Sequence, residues 1–304
     1  MVDFGAEDSF ELASERLSRH HPVHVSASKV REITIRHGHS IAHYHHRAGS
    51  VGKLPLSGVA ELIAQTDGTM LPVVSFEKST ASTDKRKKRQ VEWKEGRLCA
   101  AKEKGQSRAN YGFSMGSTQQ LGYQWASCVQ KTGWGINTHI HVVSDGAKWI
   151  ANQVEQQFGS SATHLLDLFH VMEYLAAAQK ARPEWLNPRK RWLSVQKKRL
   201  QKNQTDKVID GLQPFLEKSD GSETPIRNAW RYLTNHTEQL DYKGALEKEL
   251  PVGSGLIEGG HRHVLQNRLK KSGCWWLKEN LCAMAQLRVL RANQQWDSYY
   301  AQAA

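Results

Sequence analysis

Three acids in this chain have neighbours that suit phosphodiester chemistry. Asp67 precedes Gly68, Asp145 precedes Gly146, and Glu258 follows Gly253-Ser254-Gly255 at the head of a segment that turns strongly basic. From residue 259 to the C-terminus there are seven Lys/Arg and two acids, so a carboxylate at 258 sits among cations. Carboxylates hold a hard divalent cation, and Lys and Arg hold a nucleic-acid backbone. Each acid also has a plainer reading. Asp67-Gly68 is a hairpin signal, Asp145 can cap a helix, and Glu258 can pair with Arg262 one turn on. Ile257 occupies the capping-box position after Ser254, so Glu258 is not explained as a box partner.

The charge balance points the same way. The 304 residues carry a formal net charge of +12, which favours a polyanionic partner or else a solvated basic surface. Residues 180–207 hold ten Lys/Arg against two acids. Within them Lys197, Lys198, Arg199 and Lys202 suit a helix that binds a backbone, and Arg262, Arg268, Lys270 and Lys271 form a second basic set. His37, His39, His43, His45 and His46 crowd a short stretch, but no acid or cysteine lies alongside, and a solvated patch is the simpler reading than a metal site. Trp275-Trp276 can anchor the last helical region or stack on bases; the anchor is preferred. Cys99, Cys128, Cys274 and Cys282 form no CxxC pair and read as reduced thiols of a cytoplasmic protein. No apolar leader and no long apolar run occurs, so neither a secretory signal nor a membrane span is expected. No P-loop is present, which argues against ATP-driven work.

The elements that must position these residues can be sketched from periodicity. A short helix follows Ser9, and a second starts after Ser26 or Ser28 and reaches the histidines. Gly49 to Gly58 reads as a linker. Strand character covers 62–74 and 91–101, with a polar loop at 84–89 between them. A helix in 117–131, a strand at 139–143, a helix through Trp149 and Phe158, and a strand from Thr163 to Phe169 complete an α/β half. A helix then opens at His170, and the pattern stays helical to about residue 249. Two more helices are expected after Gly255. The divisions are therefore 1–58 (helical segment and linker), 59–180 (first part of an α/β core), 181–250 (all-α insertion) and 251–304 (the Glu258 helix and C-terminal helices).

Ordered blocks carry a resemblance. Asp67-Gly68-Thr69-Met70-Leu71-Pro72, Trp93-Lys94-Glu95, Ser144-Asp145-Gly146-Ala147-Lys148-Trp149-Ile150, Leu166-Asp167-Leu168-Phe169-His170, Gly253-Ser254-Gly255-Leu256-Ile257-Glu258 and Arg268-Leu269-Lys270-Lys271-Ser272-Gly273 occur in sequence. From Ser9 onward the chain resembles a DDE transposase of bacterial insertion sequences, of the group named after the Kra element and distantly Mutator-like. The resemblance implies an RNase H-like core with an all-α insertion before the last catalytic acid. It also implies Mg²⁺-dependent cleavage at element ends (Mn²⁺ can substitute) and strand transfer into target DNA by a homo-oligomer. Asp67, Asp145 and Glu258 match the three catalytic, metal-binding acids. Asp167 stands where related Mutator-like enzymes have a cysteine of a Cys-and-His motif, and is the competing second acid. Its apolar neighbours point to a supporting role with His170 as its partner, and His170 itself is either a DNA contact or a helix-capping histidine. Relatives usually carry an N-terminal region with cysteine pairs, and no CxxC occurs here. The alternatives are an inactive DNA-binding remnant and a nuclease of the same fold without strand transfer.

Overall fold

The computed structural model describes residues 1–47, 52–76, 89–187, 191–218 and 224–303. It opens with helices α1 (Val2–Glu7), α2 (Phe10–His20) and α3 (Ala27–Arg47), then strands β1 (Glu61–Phe76), β2 (Arg89–Glu103) and β3 (Asn110–Ser114). Next come α4 (Thr118–Lys131), β4 (His139–Ser144), α5 (Lys148–Phe158), β5 (Ala162–Leu166) and α6 (Leu168–Lys180). Helices α7 (Trp192–Leu200), α8 (Thr205–Leu212), α9 (Pro225–Asn235) and α10 (Tyr242–Glu247) follow. The chain closes with α11 (Gly255–Gly260), α12 (Asn267–Leu269), α13 (Lys278–Ala292) and α14 (Trp296–Ala303). A π-helical stretch, His261–Gln266, joins α11 to α12. The strands form one mixed five-stranded sheet in the order β3-β2-β1-β4-β5, so the α/β class holds. β2 and β3 are antiparallel, whereas β4 runs parallel to both β1 and β5.

The chain divides into two compact units: Met1–Val59, Thr66–Asn137 and Leu256–Ala304 form the first, Ala60–Gln65 and Thr138–Gly255 the second. In the first unit, α13 buries Leu281, Met284, Ala285, Leu287, Val289 and Leu290. They pack in one core with Ile41 of α3 and with Leu71, Leu98 and Phe113 of the strands. A Cβ at Gly38 would lie 2.6 Å from the Ala283 carbonyl oxygen, so the glycine permits the close approach of α3 to α13. Local signals set the helix starts. The Ser9 side chain accepts from Leu12 N at the head of α2, and Ser117 and Gln120 form a capping box before α4. β2 is exposed over its first seven residues and buried in most of its second half.

The second unit has its own core. Val143 of β4, Leu165 and Leu166 of β5, and Val171 and Leu175 of α6 pack with Val208 and Leu212 of α8 and Ile226, Ala229 and Leu233 of α9. Between residues 181 and 250 the described elements are helices.

Several details differ from the sequence reading. The strand expected at Thr163–Phe169 ends at Leu166, because Asp167 leaves the sheet to cap α6. α1 and β3 carried no recognised signal; both are short, and β3 gains its backbone partners from β2. A third helix, α14, follows α13. The basic run at 84–88, part of the linker at 48–51, and the side chains of His43, His45 and His46 lie outside the described residues. No helix among the described residues is long and apolar enough to cross a membrane.

Candidate functional site

In the first unit, Asp67 lies inside β1 and not at a turn: the strand runs unbroken from Glu61 to Phe76 through the Asp-Gly pair. Its Oδ1 accepts from the Gly68 amide at 2.6 Å, and the side chain is 44% exposed. The helical stretch that begins at α11 is tied to this part of β1. His261 Nε2 donates to the Asp67 carbonyl at 3.2 Å, and its Nδ1 stands 3.9 Å from Oδ2. Burial holds the His261 pKa down at about 4, opposed by the Asp67 carbonyl, so the ring is neutral at pH 7. Two residues further along β1, Thr69 Oγ1 meets Lys270 Nζ at 3.0 Å and Gln266 Nε2 at 3.4 Å. Glu258 is exposed on α11, three residues before His261, and its neighbour Ile257 is buried in the core. The π-helical stretch begins at His261 itself; such turns recur at functional sites.

In the second unit, Asp145 follows the last residue of β4. Its Oδ1 accepts from Ala147 N at 3.0 Å, a side-chain turn just ahead of α5, but it does not cap the helix itself. Gly146 has φ +79°, and a Cβ there would stand 2.6 Å from Leu166, so this turn requires glycine. The Tyr232 hydroxyl donates to the Asp145 carbonyl at 2.5 Å, and burial followed by the Asp145 charge drives the Tyr232 pKa far up. The Tyr232 ring stacks on Tyr174 at 4.2 Å, meets His170 edge to face and lies tilted against His236.

Asp167 is 4% exposed and fully engaged as an acceptor. Oδ1 receives the Phe169 amide at 2.7 Å and the His170 amide at 3.4 Å; Oδ2 receives the Ser254 amide at 3.0 Å and the Ser254 hydroxyl. The expected partnership with the His170 ring is therefore corrected. That ring pairs with Glu173 at 3.2 Å, because the first turn of α6 directs backbone amides at Asp167 and carries side chains away from it. A half-buried histidine that sequence reasoning passed over lies close by: His164 Nε2 contacts Ser144 Oγ at 2.7 Å and Gln239 contacts its Nδ1 at 3.2 Å. Burial and the neighbouring His236 lower its pKa to about 4. Its only sequence signal was its place in a buried-looking strand.

The basic residues divide by exposure. Lys198, Lys202 and Arg262 are exposed, while Lys197 sits over the Phe169 ring at 5.5 Å and Arg199 bonds Gln196 at 3.2 Å. Lys271 Nζ reaches the Glu7 carbonyl at 3.2 Å. Arg268 overturns its expected place among the backbone-binding cations. It is 1% exposed, its Nε donates to the Gly5 carbonyl, and its guanidinium lies between Phe10 and Trp276. Trp276 is the anchor: it is buried, and Val74 N donates to its carbonyl at 2.8 Å, whereas Trp275 faces outward. Among the described residues, no three His, Cys, Asp or Glu side chains are grouped to hold a metal ion. His37 of the histidine-rich stretch instead bonds the Tyr299 hydroxyl at 3.0 Å.

The profile of an uncharacterised protein family, UPF0236, matches residues 1–297, and the chain belongs to that family. No curated protein matches the chain.

Proposed function

We propose that this member of UPF0236 is a DNA transposase with an RNase H-like core, cleaving DNA at element ends and joining them to target DNA. The observation that carries the reading is the parallel pairing of β1 with β4, which ends with Ala64 opposite Val142. Asp67 and Asp145 each lie three residues beyond that pair in the sequence, Asp67 within β1 and Asp145 just past the end of β4. A mixed five-stranded sheet with an all-helical stretch between residues 181 and 250, ahead of Glu258, further supports it.

The donor set suits a hard cation. Asp67, Asp145 and Glu258 offer carboxylate oxygens and no thiol, and Mg²⁺ or Mn²⁺ keeps several waters and needs one or two carboxylates, so a dense protein cage is not required. Such an ion would supply Lewis-acid stabilisation of the charge that develops on phosphate oxygens. The chain's own groups do the rest. Neutral His261 holds the backbone at Asp67, Tyr232 holds the backbone at Asp145, and Ile257 anchors the helix that presents Glu258. Lys197, Lys198, Arg199, Lys202, Arg262, Lys270 and Lys271 provide cations for DNA backbones. On this reading the protein acts in the cytoplasm, as a homo-oligomer when element ends are synapsed.

A supercoiled plasmid bearing the element's ends tests it. The wild-type chain nicks the plasmid with Mg²⁺, and Asp67→Asn, Asp145→Asn and Glu258→Gln each abolish nicking while DNA binding persists. Nicking by the acid variants at the wild-type rate would refute the assignment. A strand-transfer assay on pre-cleaved ends separates a transposase from a nuclease of the same fold, and a wild-type chain that binds without cutting is the inactive remnant.

A further inference from the structure

Two pockets of the first unit adjoin, sharing Arg31, Ile35 and Asn280. One, about 540 Å³, runs along α3 past Arg31, Arg36 and His39; the other, about 360 Å³, is walled by Phe10, Phe76, Trp275 and Trp276 and contains Arg268. The groove is thus cationic along one stretch and aromatic along the next. Its acids are Glu32, which pairs with Lys29 at 3.0 Å, and Glu11.

The aromatic end carries two unusual features. Arg268 is almost completely buried, yet its Nη2 has no hydrogen-bond partner among the described residues. A desolvated guanidinium N–H without an acceptor is costly, and a ligand acceptor would offset that cost. Beyond the pocket mouth, Trp275 and Trp93 meet edge to face at 6.2 Å and remain 36% and 53% exposed. Cations flank both rings: the Arg89 guanidinium stands 5.3 Å from the Trp275 ring and Lys270 Nζ 6.0 Å from Trp93. Exposed indoles interleaved with arginine and lysine are what an unpaired nucleic-acid strand binds, since every base has a face to stack and every link a phosphate. A duplex hides those faces in its own stack, so it gains nothing from them.

We propose that this groove binds an unpaired nucleic-acid strand. Arg31 and Arg36 meet its phosphates, Trp275 and Trp93 stack its bases, and one base enters beside Arg268, whose Nη2 donates to a base carbonyl. The site includes none of Asp67, Asp145 and Glu258, and it stands whether or not those acids are catalytic.

The test is binding by the full chain in EDTA, read by fluorescence anisotropy with labelled oligothymidylate, oligouridylate, a duplex of equal length and an abasic strand with the same backbone. Oligothymidylate or oligouridylate, according to whether the natural strand is DNA or RNA, binds the wild type tightest, and the abasic strand binds at least about 5-fold more weakly. Trp275→Ala/Trp93→Ala loses about 10-fold or more in single-strand affinity, keeps its duplex affinity, and no longer distinguishes the abasic strand. Trp275→Tyr retains most of the binding. Equal affinity of the wild type for the abasic and base-bearing strands would overturn the proposal even if the double variant failed to fold. So would a folded double variant that binds oligothymidylate and oligouridylate as the wild type does.

Discussion

Asp167→Ala should destabilise the second unit by about 2–4 kcal/mol. The carboxylate caps α6 through the Phe169 and His170 amides and holds Ser254 through two further bonds, from a site that is 4% exposed. Loss of an Asp cap costs about 1 kcal/mol. Removing the acceptor from the Ser254 amide and hydroxyl adds about 1–3 kcal/mol, because hydrogen bonds to a buried charge exceed neutral ones. Asp167→Asn keeps one acceptor oxygen but loses the charge and presents an NH₂ toward two donors, so it should cost about as much. The assay is urea denaturation followed by tryptophan fluorescence, with midpoint and slope compared at equal protein concentration. Two or more kcal/mol lost, with plasmid nicking still measurable below the transition, would mark Asp167 as a structural clamp between the head of α6 and the residue before α11. An unchanged midpoint, combined with complete loss of nicking, would refute this reasoning and exchange the roles of Asp167 and Asp145.

Two further outcomes are expected. His164 is neutral in the fold with a pKa near 4, whereas an unfolded histidine titrates near 6.5, so its contribution to stability is whole above about pH 6.5 and is lost as pH falls toward 4. Between those values the wild type should lose up to about 1.4 kcal/mol per pH unit more than His164→Gln, and denaturation at pH 7 and pH 5 of both proteins measures the difference. Replacing Lys197, Lys198, Arg199 and Lys202 together with Gln should weaken binding to any duplex and flatten the plot of log affinity against log salt by up to about 3.6; an unchanged slope would mean these cations contact only solvent.

Much of the local architecture was legible in the residues because its causes are local. Ser9 and Ser117 mark helix starts by bonding amides three residues on, and the apolar run of β4 declares a buried strand. Asp145 was open to reading as a helix cap, but it bonds the Ala147 amide ahead of α5 and does not cap it. Where the deciding partner lies far along the chain, the sequence was silent. Asp67-Gly68 is a hairpin signal by itself, yet β1 passes through it, with the Asp67 carbonyl held by His261, 194 residues later. Arg262 and Arg268 belong to one basic run, but Arg268 is buried against the Gly5 carbonyl, 263 positions away, while Arg262 stays in water. Trp275 and Trp276 are adjacent and identical, and the pairing of Trp276 with Val73 turns one inward and leaves the other outside. Residue type and spacing set which groups can cap, pair or stack. Whether a given cation or ring is solvent-exposed or spent on the core depends on which distant segment packs over it, and that was decided by the tertiary structure alone.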